Sequence, residues 1–565
     1  MKNSLGLFCI FSGFTIANSL SWSSTYNLKA VLRIPSANIV EPYQIWTDGE
    51  TGNSRIDFYD GLDKMYRLRK PCGSFQYYKI HPVSFENGQS KNVCKIYDST
   101  DNVVKVIKRY NYLPGPEQKF NLVDFEYIDN VDTTKWQYSA GHESDGLKFN
   151  YTYTVWVKSE NYLSVPVRFD FSMKVDNSEM DYFRHDYTYF DTSKPDPKIF
   201  QIPNSSNCKI QDTSIHEPVD PLIEFVNPTI EHERINNAYD SFKLEYKKYY
   251  NDSEHRMRRQ FFKNNLRLIN SVNRQHKSYT LALNQLADLS DSELLTLGRL
   301  RVTPTNDSQY FDDNDVSDSV KSFDWREFNA ISPIKDQTFL CGSCYAFTSA
   351  AAIESTFYIH NGCKGQVKEI SEQAIIDCTW TSDENIGNSG CDSGDLYYTF
   401  SYIKKFGVPT RDSYGPYLAM EGVCQINAGK KIKISDFTKI PKNKGKIQKA
   451  LIKNGPLAIA LNGRPKTFIF YSKGVYDNAN CANENTDLTH GVTLVGFGEE
   501  SGKEYWILKN SYGVKWGEKG FMRIASHSNI CGVMNLVFSV QFSRKNKINK
   551  CFLKKYSDGR SVLGV

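Results

Sequence analysis

Beyond the N-terminal run Leu5 to Ile16, the 565-residue chain has no long apolar stretch, so no later segment is expected to span a membrane. It also lacks a field of one sign. Net charge is only +5, which gives no reason to expect nucleic acid as a partner. Metal-ligand pairs are missing too. The motif Cys341 to Cys344 has the Cys-x-x-Cys spacing, but no second pair of ligands answers it, and no metal or cofactor is expected. Residues 229 to 297 contain neither glycine nor proline and are rich in Glu, Lys, Arg and Leu, so they are read as helices. Asp252 or Ser253 is the candidate cap of one, and Ser290 with Glu293 has capping-box spacing for a shorter one.

The N-terminus has the three parts of a signal peptide. Lys2 supplies the charge, Leu5 to Ile16 the apolar run, and Ala17-Asn18-Ser19 the small residues for cleavage, so residues 1–19 are expected to be removed. The protein is then expected in the secretory pathway, in a lysosome or in the extracellular space. Of the 13 cysteines all but Cys9 lie beyond this segment, and in an exported protein most are disulfide candidates. Glycosylation sequons stand at Asn150, Asn204, Asn251 and Asn306.

Residues 20–225 read as all-β, in keeping with an aromatic content of 14% over the chain. Val165 to Val175 alternates apolar and polar residues without a break, with Pro166 near its start. Tyr151 to Lys158 precedes it, and Ser159-Glu160-Asn161 is a plausible hairpin turn. Cys72 and Cys94 are the disulfide guess here, and no catalytic constellation stands out. Residues 298–321 read as a linker, turn-forming at Thr303 to Ser308 and acidic at Asp312, Asp313, Asp315 and Asp318, where a processing protease would find exposed chain. Residues 322–541 mix helical and strand patterns. Residues 542–565 form a basic tail.

The densest chemical signal is Cys341-Gly342-Ser343-Cys344-Tyr345. On its own the motif fits a redox pair, half a zinc site, or one structural and one reactive cysteine. The apolar stretch Tyr345 to Tyr358 predicts a buried helix beginning at Cys344, and a helix N-terminus favours a thiolate. A thiolate nucleophile needs a base. His490 lies in the strand-like run Leu488 to Leu494, and a histidine there is more often structural than catalytic. Asn510 supplies the third role, because its amide can accept the imidazole N–H and orient the ring. Gln337, upstream, could hold an oxyanion together with the Cys344 N–H.

With these residues in view, the segment from about 323 to 541 resembles the papain family, cathepsin L-like members in particular. His490 follows Cys344 by 146 residues, and Asn510 comes next, which is the family order. Further landmarks are Asp324-Trp325-Arg326, Ser371-Glu372-Gln373, Tyr414-Gly415-Pro416-Tyr417, and Asn510-Ser511-Tyr512-Gly513 with Trp516-Gly517. The resemblance implies an α+β peptidase of two lobes, one helical and one a β-barrel, with the cleft between them. It implies disulfides Cys341 to Cys391, Cys378 to Cys424 and Cys481 to Cys531, leaving Cys208, Cys363 and Cys551 without an obvious partner. It implies that Gly394 pairs its backbone with substrate, that Leu536 floors an apolar pocket, and that Ser393 and Trp516 also line the substrate site.

Residues 229–297 resemble the family's inhibitory propeptide. Glu254, Arg258, Phe262, Asn265, Ile269 and Asn273 fit its helix signature and fall within an arc of about 100° at helical spacing. Asn284 and Asp288 match the second propeptide motif. The whole arrangement, an extra N-terminal β-rich domain before propeptide and peptidase, is similar to a subgroup of long-precursor cathepsins, the insect 26/29 kDa proteinase and an amoebal counting-factor-associated protein. Ile34 to Tyr43 and Arg55 to Gly61 carry that likeness. It implies a precursor cut into two chains that stay associated.

Departures from the family pattern also bear on the reading. Three residues, Thr338-Phe339-Leu340, separate Gln337 from Cys341 where two are usual, Thr489 precedes the histidine, Ser393 replaces a glycine, and Tyr512 replaces a tryptophan. The expected activity is cysteine-type endopeptidase action on protein and peptide substrates, with the propeptide as intramolecular inhibitor. The alternative is a catalytically weak or inactive homologue whose β-rich domain acts as a binding module.

Overall fold

A computed structural model describes residues 20–84, 90–98, 112–115, 119–144, 146–160, 163–203, 208–210, 220–226, 228–303, 320–381, 387–425, 427–543 and Cys551. The signal-like segment, most of the linker, the sequons at Asn204 and Asn306, and nearly all of the basic tail lie outside them. The chain divides into two units, Met1–His81 with Val93–Ala238, and Pro82–Asn92 with Tyr239–Val565. Among the described residues no helix is long and apolar enough to cross a membrane.

The first unit is built on one sheet. Its strands are β1 (Tyr26–Ile34), β2 (Ile39–Thr47), β3 (Ser54–Phe58), β4 (Asp63–Arg69), β5 (Phe75–Ser84), β6 (Ser90–Asp98), β7 (Asn121–Ile128), β8 (Val131–Ser144), β9 (Leu147–Glu160), β10 (Leu163–Val175), β11 (Ser178–Asp191) and β12 (Cys208–Ile210). Their order is β12-β6-β5-β4-β3-β2-β1-β11-β10-β9-β8-β7. Sequence neighbours pair as antiparallel meanders, and β11 returns to β1 in the middle. Period-2 patterning drives this: Tyr26, Leu28, Ala30, Leu32 and Ile34 of β1 are all buried, while the residues between them are not. On β10 the register slips twice, once against β11 between Met173 and Lys174 and once against β9. A bulge falls between Pro166 and Arg168, where proline's missing N–H costs the ladder nothing. Inward from the bulge, Phe169 and Phe171 pack on Phe183 of β11, with centroids 6.1 Å and 4.8 Å away.

The disulfide of this unit joins Cys94 to Cys208, not to Cys72. The reason is register. β12 lies parallel to β6 with Cys208 opposite Cys94, and their Cα atoms are 4.4 Å apart, whereas Cys72 sits in the β4–β5 turn, exposed and facing the Ser74 hydroxyl.

In the second unit the helix Asp252–Arg274 is capped by Asn251, not by Asp252 or Ser253: Asn251 keeps an extended backbone, and its Oδ1 takes the Glu254 N–H at 2.9 Å. The Ser290–Glu293 capping box forms at the helix Asp291–Thr296. Phe262, Asn265 and Ile269 are buried, and the motif side chains bind the chain that follows. Asn265 Nδ2 donates to Ala287 O at 2.9 Å, Asn273 exchanges two hydrogen bonds with Leu281, and the Arg258 guanidinium pairs with Glu254 and Glu293. That chain adds a strand, Tyr279–Leu281, to Tyr471–Tyr476 of the peptidase sheet.

The peptidase has a helical lobe, with Cys344–His360 at its centre, and a mostly antiparallel sheet that includes Leu457–Leu461, His490–Glu500 and Lys503–Lys509. Disulfides join Cys341 to Cys391, Cys378 to Cys424 and Cys481 to Cys531. A further one joins Cys363 to Cys551, so the C-terminal extension is tied beside the end of the central helix. Chain architecture is therefore an all-β N-terminal region, a helical propeptide and a two-lobed papain-like peptidase.

Candidate active site

Cys344 is the first residue of the central helix, and its neighbours are fixed by the Cys341–Cys391 disulfide and by the Gly342 N–H donating to Cys391 O at 2.8 Å. The helix is long and apolar because it is buried on nearly all sides, and this puts its positive N-terminal end at the thiol. His490 opens the strand His490–Glu500 from the other lobe. Its Nε2 donates to Asn510 Oδ1 at 2.8 Å, and the same oxygen accepts the Ser511 N–H at 2.8 Å, which fixes the amide's orientation. The Tyr512 ring lies 4.9 Å from the imidazole and the Phe468 ring 5.9 Å, so Tyr512 covers this bond from the position where the family has tryptophan.

Gln337 keeps its place despite the longer loop after it. Its N–H bonds Ser511 O at 2.9 Å, its Oε1 accepts the Ser511 hydroxyl at 2.7 Å, and Tyr417 donates to its carbonyl at 2.6 Å. The extra residue is absorbed outward: Thr338 adopts a left-handed backbone (φ 58°) and Leu340 is exposed. Ser511 and Tyr417 are the residues that sequence reasoning left without a role, although both stood inside recognised landmarks.

The chain that follows the helix Asp291–Thr296 fills the space between these groups. The Leu297 carbonyl lies 3.2 Å from Gln337 Nε2, which donates to it, and 3.1 Å from His490 Nδ1. Downstream, Leu300 N–H donates to Thr489 O and Arg301 N–H to Gly394 O, each at 2.8 Å, and Leu300 bridges Gly394 in the parallel sense. The Leu300 side chain is buried in the same apolar cluster as Leu536 and Tyr345. Gly394 thus pairs its backbone with a chain in the cleft, but the space a Cβ would need is taken by the Tyr345 ring at 2.4 Å, so glycine is required by its own lobe as much as by the visitor. Ser393 is buried, and its hydroxyl has no hydrogen-bond partner. Trp516 stands behind the histidine, packed on Phe468 and Tyr512 and donating to Ile469 O at 2.9 Å.

Covered in this way, both titratable groups favour their neutral forms. Burial pushes the Cys344 thiol up to about 11, against backbone hydrogen bonds from Gly491, Arg299 and Tyr345. Burial also brings His490 down to about 4, outweighing the Asn510 and Leu297 oxygens that favour the charged ring. A neutral ring has one proton to share, and Asn510 holds it, so the Nδ1 contact with Leu297 becomes a full hydrogen bond only in the imidazolium. Chemically, the arrangement brings a thiol, an oriented imidazole and an amide donor to one backbone carbonyl.

Residues 319–541 match the family described as papain family cysteine protease, and residues 239–294 match the cathepsin propeptide inhibitor domain (I29). Cysteine protease XCP2 of Arabidopsis thaliana is 35% identical over 315 residues, covering 54% of this chain and 85% of that protein. Cathepsin L of Sarcophaga peregrina is 36% identical over 320 residues, covering 53% of this chain and 91% of that protein. Among solved structures, digestive procathepsin L 3 of Tenebrio molitor larval midgut is similar at 30% identity and a TM-score of 0.49, over 55% of this chain and 99% of that one.

Proposed function

The chain belongs to the papain family of cysteine proteases, and from that premise we propose that it is an endopeptidase, released from its own propeptide in an acidic lysosomal or extracellular setting, that cuts peptide bonds through Cys344, His490 and Asn510. Cys344 thiolate adds to the substrate carbonyl carbon, and the oxygen's developing charge is met by Gln337 Nε2 and the Cys344 N–H. Protonated at Nδ1, His490 gives its proton to the amine as the C–N bond breaks, leaving a thioester. It then takes a proton from water, which attacks the thioester carbonyl and frees the acid and the thiolate. Asn510 keeps the ring turned so that Nδ1 faces the reacting atoms. Gly394 holds the substrate backbone, and Leu536 favours an apolar side chain at the neighbouring residue.

The observation that carries this reading is the Leu297 carbonyl, a peptide oxygen already within reach of Gln337 Nε2 and His490 Nδ1. Release by acid follows from the ion pairs behind it. Burial disfavours the Glu293 carboxylate, but the Arg258 guanidinium and the Ser290 N–H and hydroxyl outweigh it and hold Glu293 below the ordinary glutamate range. A group depressed in this way stabilises the closed precursor above the ordinary glutamate value of about 4.3 and loses that contribution as pH falls further.

An irreversible epoxide inhibitor, applied before and after acid treatment and followed by peptide mapping, tests the proposal. Cys344 should be labelled only after the propeptide has gone. Absence of labelling once the propeptide is removed would leave the inactive-homologue reading in its place.

A further inference from the structure

The small net charge of the chain hides an uneven distribution. Between Gly422 and Tyr476 stand twelve lysines and arginines and a single carboxylate, Asp436. The fold lines up the lysines from Lys430 to Lys446 along adjoining elements. Ile432 and Ile434 are buried, which turns Lys431 and Lys433 outward. A Cβ at Gly407 would come within 3.0 Å of Lys431 Cβ and 3.5 Å of Lys433 Cβ. These two stems therefore flank the end of the helix Leu396–Phe406, beside Lys404 and Lys405 of its last turn. That helix packs on the edge strand Asp436–Lys439 through Tyr397 and Phe437, whose ring centroids are 5.4 Å apart. Just past the strand, Asn443 caps the helix Lys444–Asn454. Two of the lysines are paired, Lys404 with Asp436 at 2.8 Å and Lys444 with Glu504. Among the described residues, Lys430, Lys431, Lys433, Lys439, Lys442 and Lys446 have no carboxylate at ion-pair distance.

Two segments of this unit outside the described residues border this surface. The tail begins where the Ser435 N–H donates to Gln541 O at 2.8 Å, but it is basic too, and its sign excludes it as the occupant. The other is the stretch 304–319, which carries Asp307, Asp312, Asp313, Asp315 and Asp318 and no lysine or arginine. Its two ends are fixed on the same elements. Thr303 N–H donates to Asp395 Oδ2 at 2.7 Å, and Asp395 caps the helix Leu396–Phe406. At the other end Phe323 pairs with Phe497, and Trp325 Nε1 donates to Leu451 O at 2.9 Å, on the helix Lys444–Asn454. The stretch thus leaves from one lysine-bearing helix and arrives at the other, with the edge strand between them. Extended, it reaches at most about 55 Å, ample to cross one strand and two helices about 10 Å wide.

We propose that in the precursor the acidic stretch 304–319 docks on the lysine surface between these two helices, and that cutting it uncovers a basic face which the latent form does not show. Each exposed pair is weak on its own. Fixed ends hold the aspartates near the lysines at high effective concentration, so several pairs form together. Added salt screens them. The inference does not depend on whether Cys344 cuts peptides.

The test uses the full chain, kept from cutting itself by Cys344→Ser. A carbodiimide joins carboxylates to lysine amines in contact, and the linked peptides are mapped. Links from the stretch 304–319 to lysines between Lys430 and Lys446 are expected, and salt at about 1 M should abolish them. Acylation of surface lysines gives a second reading. With Asp312→Asn, Asp313→Asn, Asp315→Asn and Asp318→Asn combined, Lys431 and Lys433 should react about three- to tenfold faster. Lys174, exposed on β10 of the other unit, should react at the same rate in both proteins. Links found only in a dimer band would assign the face to a second copy of the chain and overturn the proposal. Equal acylation of Lys431 and Lys433 in the parent and the neutralised variant would overturn it as well.

Discussion

His185 and His490 are both fully buried among aromatic rings, and burial lowers both, to about 3 and about 4. What covers them differs. His185 on β11 is enclosed by its own unit: Phe169 and Tyr187 stack on it, Phe183 and, from the short helix Ile223–Val226, Phe225 stand edge-on, and Nδ1 faces the Tyr43 hydroxyl at 2.7 Å. His490 owes part of its burial to Leu297, which lies just past the stretch that matches the propeptide inhibitor domain. A histidine whose cover is its own core has a structural role. One whose cover belongs to an inhibitory segment, and whose far nitrogen is held by an amide oxygen, is latent. Burial alone does not separate the two cases; the identity of the covering segment does.

The comparison breaks if the sheet histidine matters to turnover. Cys344→Ser is expected to lower kcat/KM on peptides by about a millionfold, the scale on which a lost nucleophile acts, with thermal unfolding unchanged. His185→Phe should leave kcat/KM of the matured enzyme within about twofold, since an aromatic of similar size keeps the stack. Steady-state rates on the titrated enzyme decide both. On the sheet side, Phe183→Ala removes a ring packed on Phe169, Phe171 and Phe225 and should cost about 3–5 kcal/mol, read by denaturant unfolding of the N-terminal unit. Cys344 labelling after acid treatment should survive that change.

Gln337→Ala sharpens the comparison from the cleft. Removing one oxyanion donor should lower kcat by about a hundred- to a thousandfold with little change in KM. It should also weaken latency, because the same amide binds Leu297 in the precursor. A fall in kcat/KM carried by KM alone would mean that Gln337 only shapes the wall.

Legibility followed the same division. His490 and Asn510 could be picked out because chemistry fixes residue types at short range around them, and the structure joins the two at 2.8 Å. The propeptide helix could be read from six positions on one arc, since that face must bind one following segment. The Cys94–Cys208 and Cys363–Cys551 bonds could not. Each closes a long loop, 114 and 188 residues, and depends on strand register or on the course of a tail that no local pattern encodes. The cap at Asn251 was missed by one residue because Asn, Asp and Ser are all good caps and only the extended backbone of Asn251 separates them. Fold class in the N-terminal unit followed from alternation, but its strand order did not, since the return of β11 to β1 is a long-range pairing.

Acid gives the finest test of the two regions. Below the ordinary histidine value of about 6.5, the unfolded sheet takes up a proton that folded His185 refuses until about pH 3. Its stability therefore falls by about 1.4 kcal/mol per pH unit over that window. Asp220 acts in the opposite sense. Burial raises it to about 6, against the Tyr112 hydroxyl at 2.8 Å and the Leu222 N–H, so from about pH 6 down to the ordinary aspartate range the folded unit holds a proton that the unfolded chain releases. Over that interval the two slopes cancel, and the sheet should keep a level stability, whereas the Arg258–Glu293 contact of the propeptide starts to weaken only below about pH 4.3. Asp220→Asn should expose the histidine slope, so that thermal unfolding of the N-terminal unit drops steadily from pH 6 to pH 4. His185→Phe should leave the aspartate slope alone, and the same unit should then become more stable on acidification. If both variants follow the wild-type profile, neither group sets the acid response, and the burial of His185 and Asp220 has no part in keeping the sheet intact under the conditions that open the cleft.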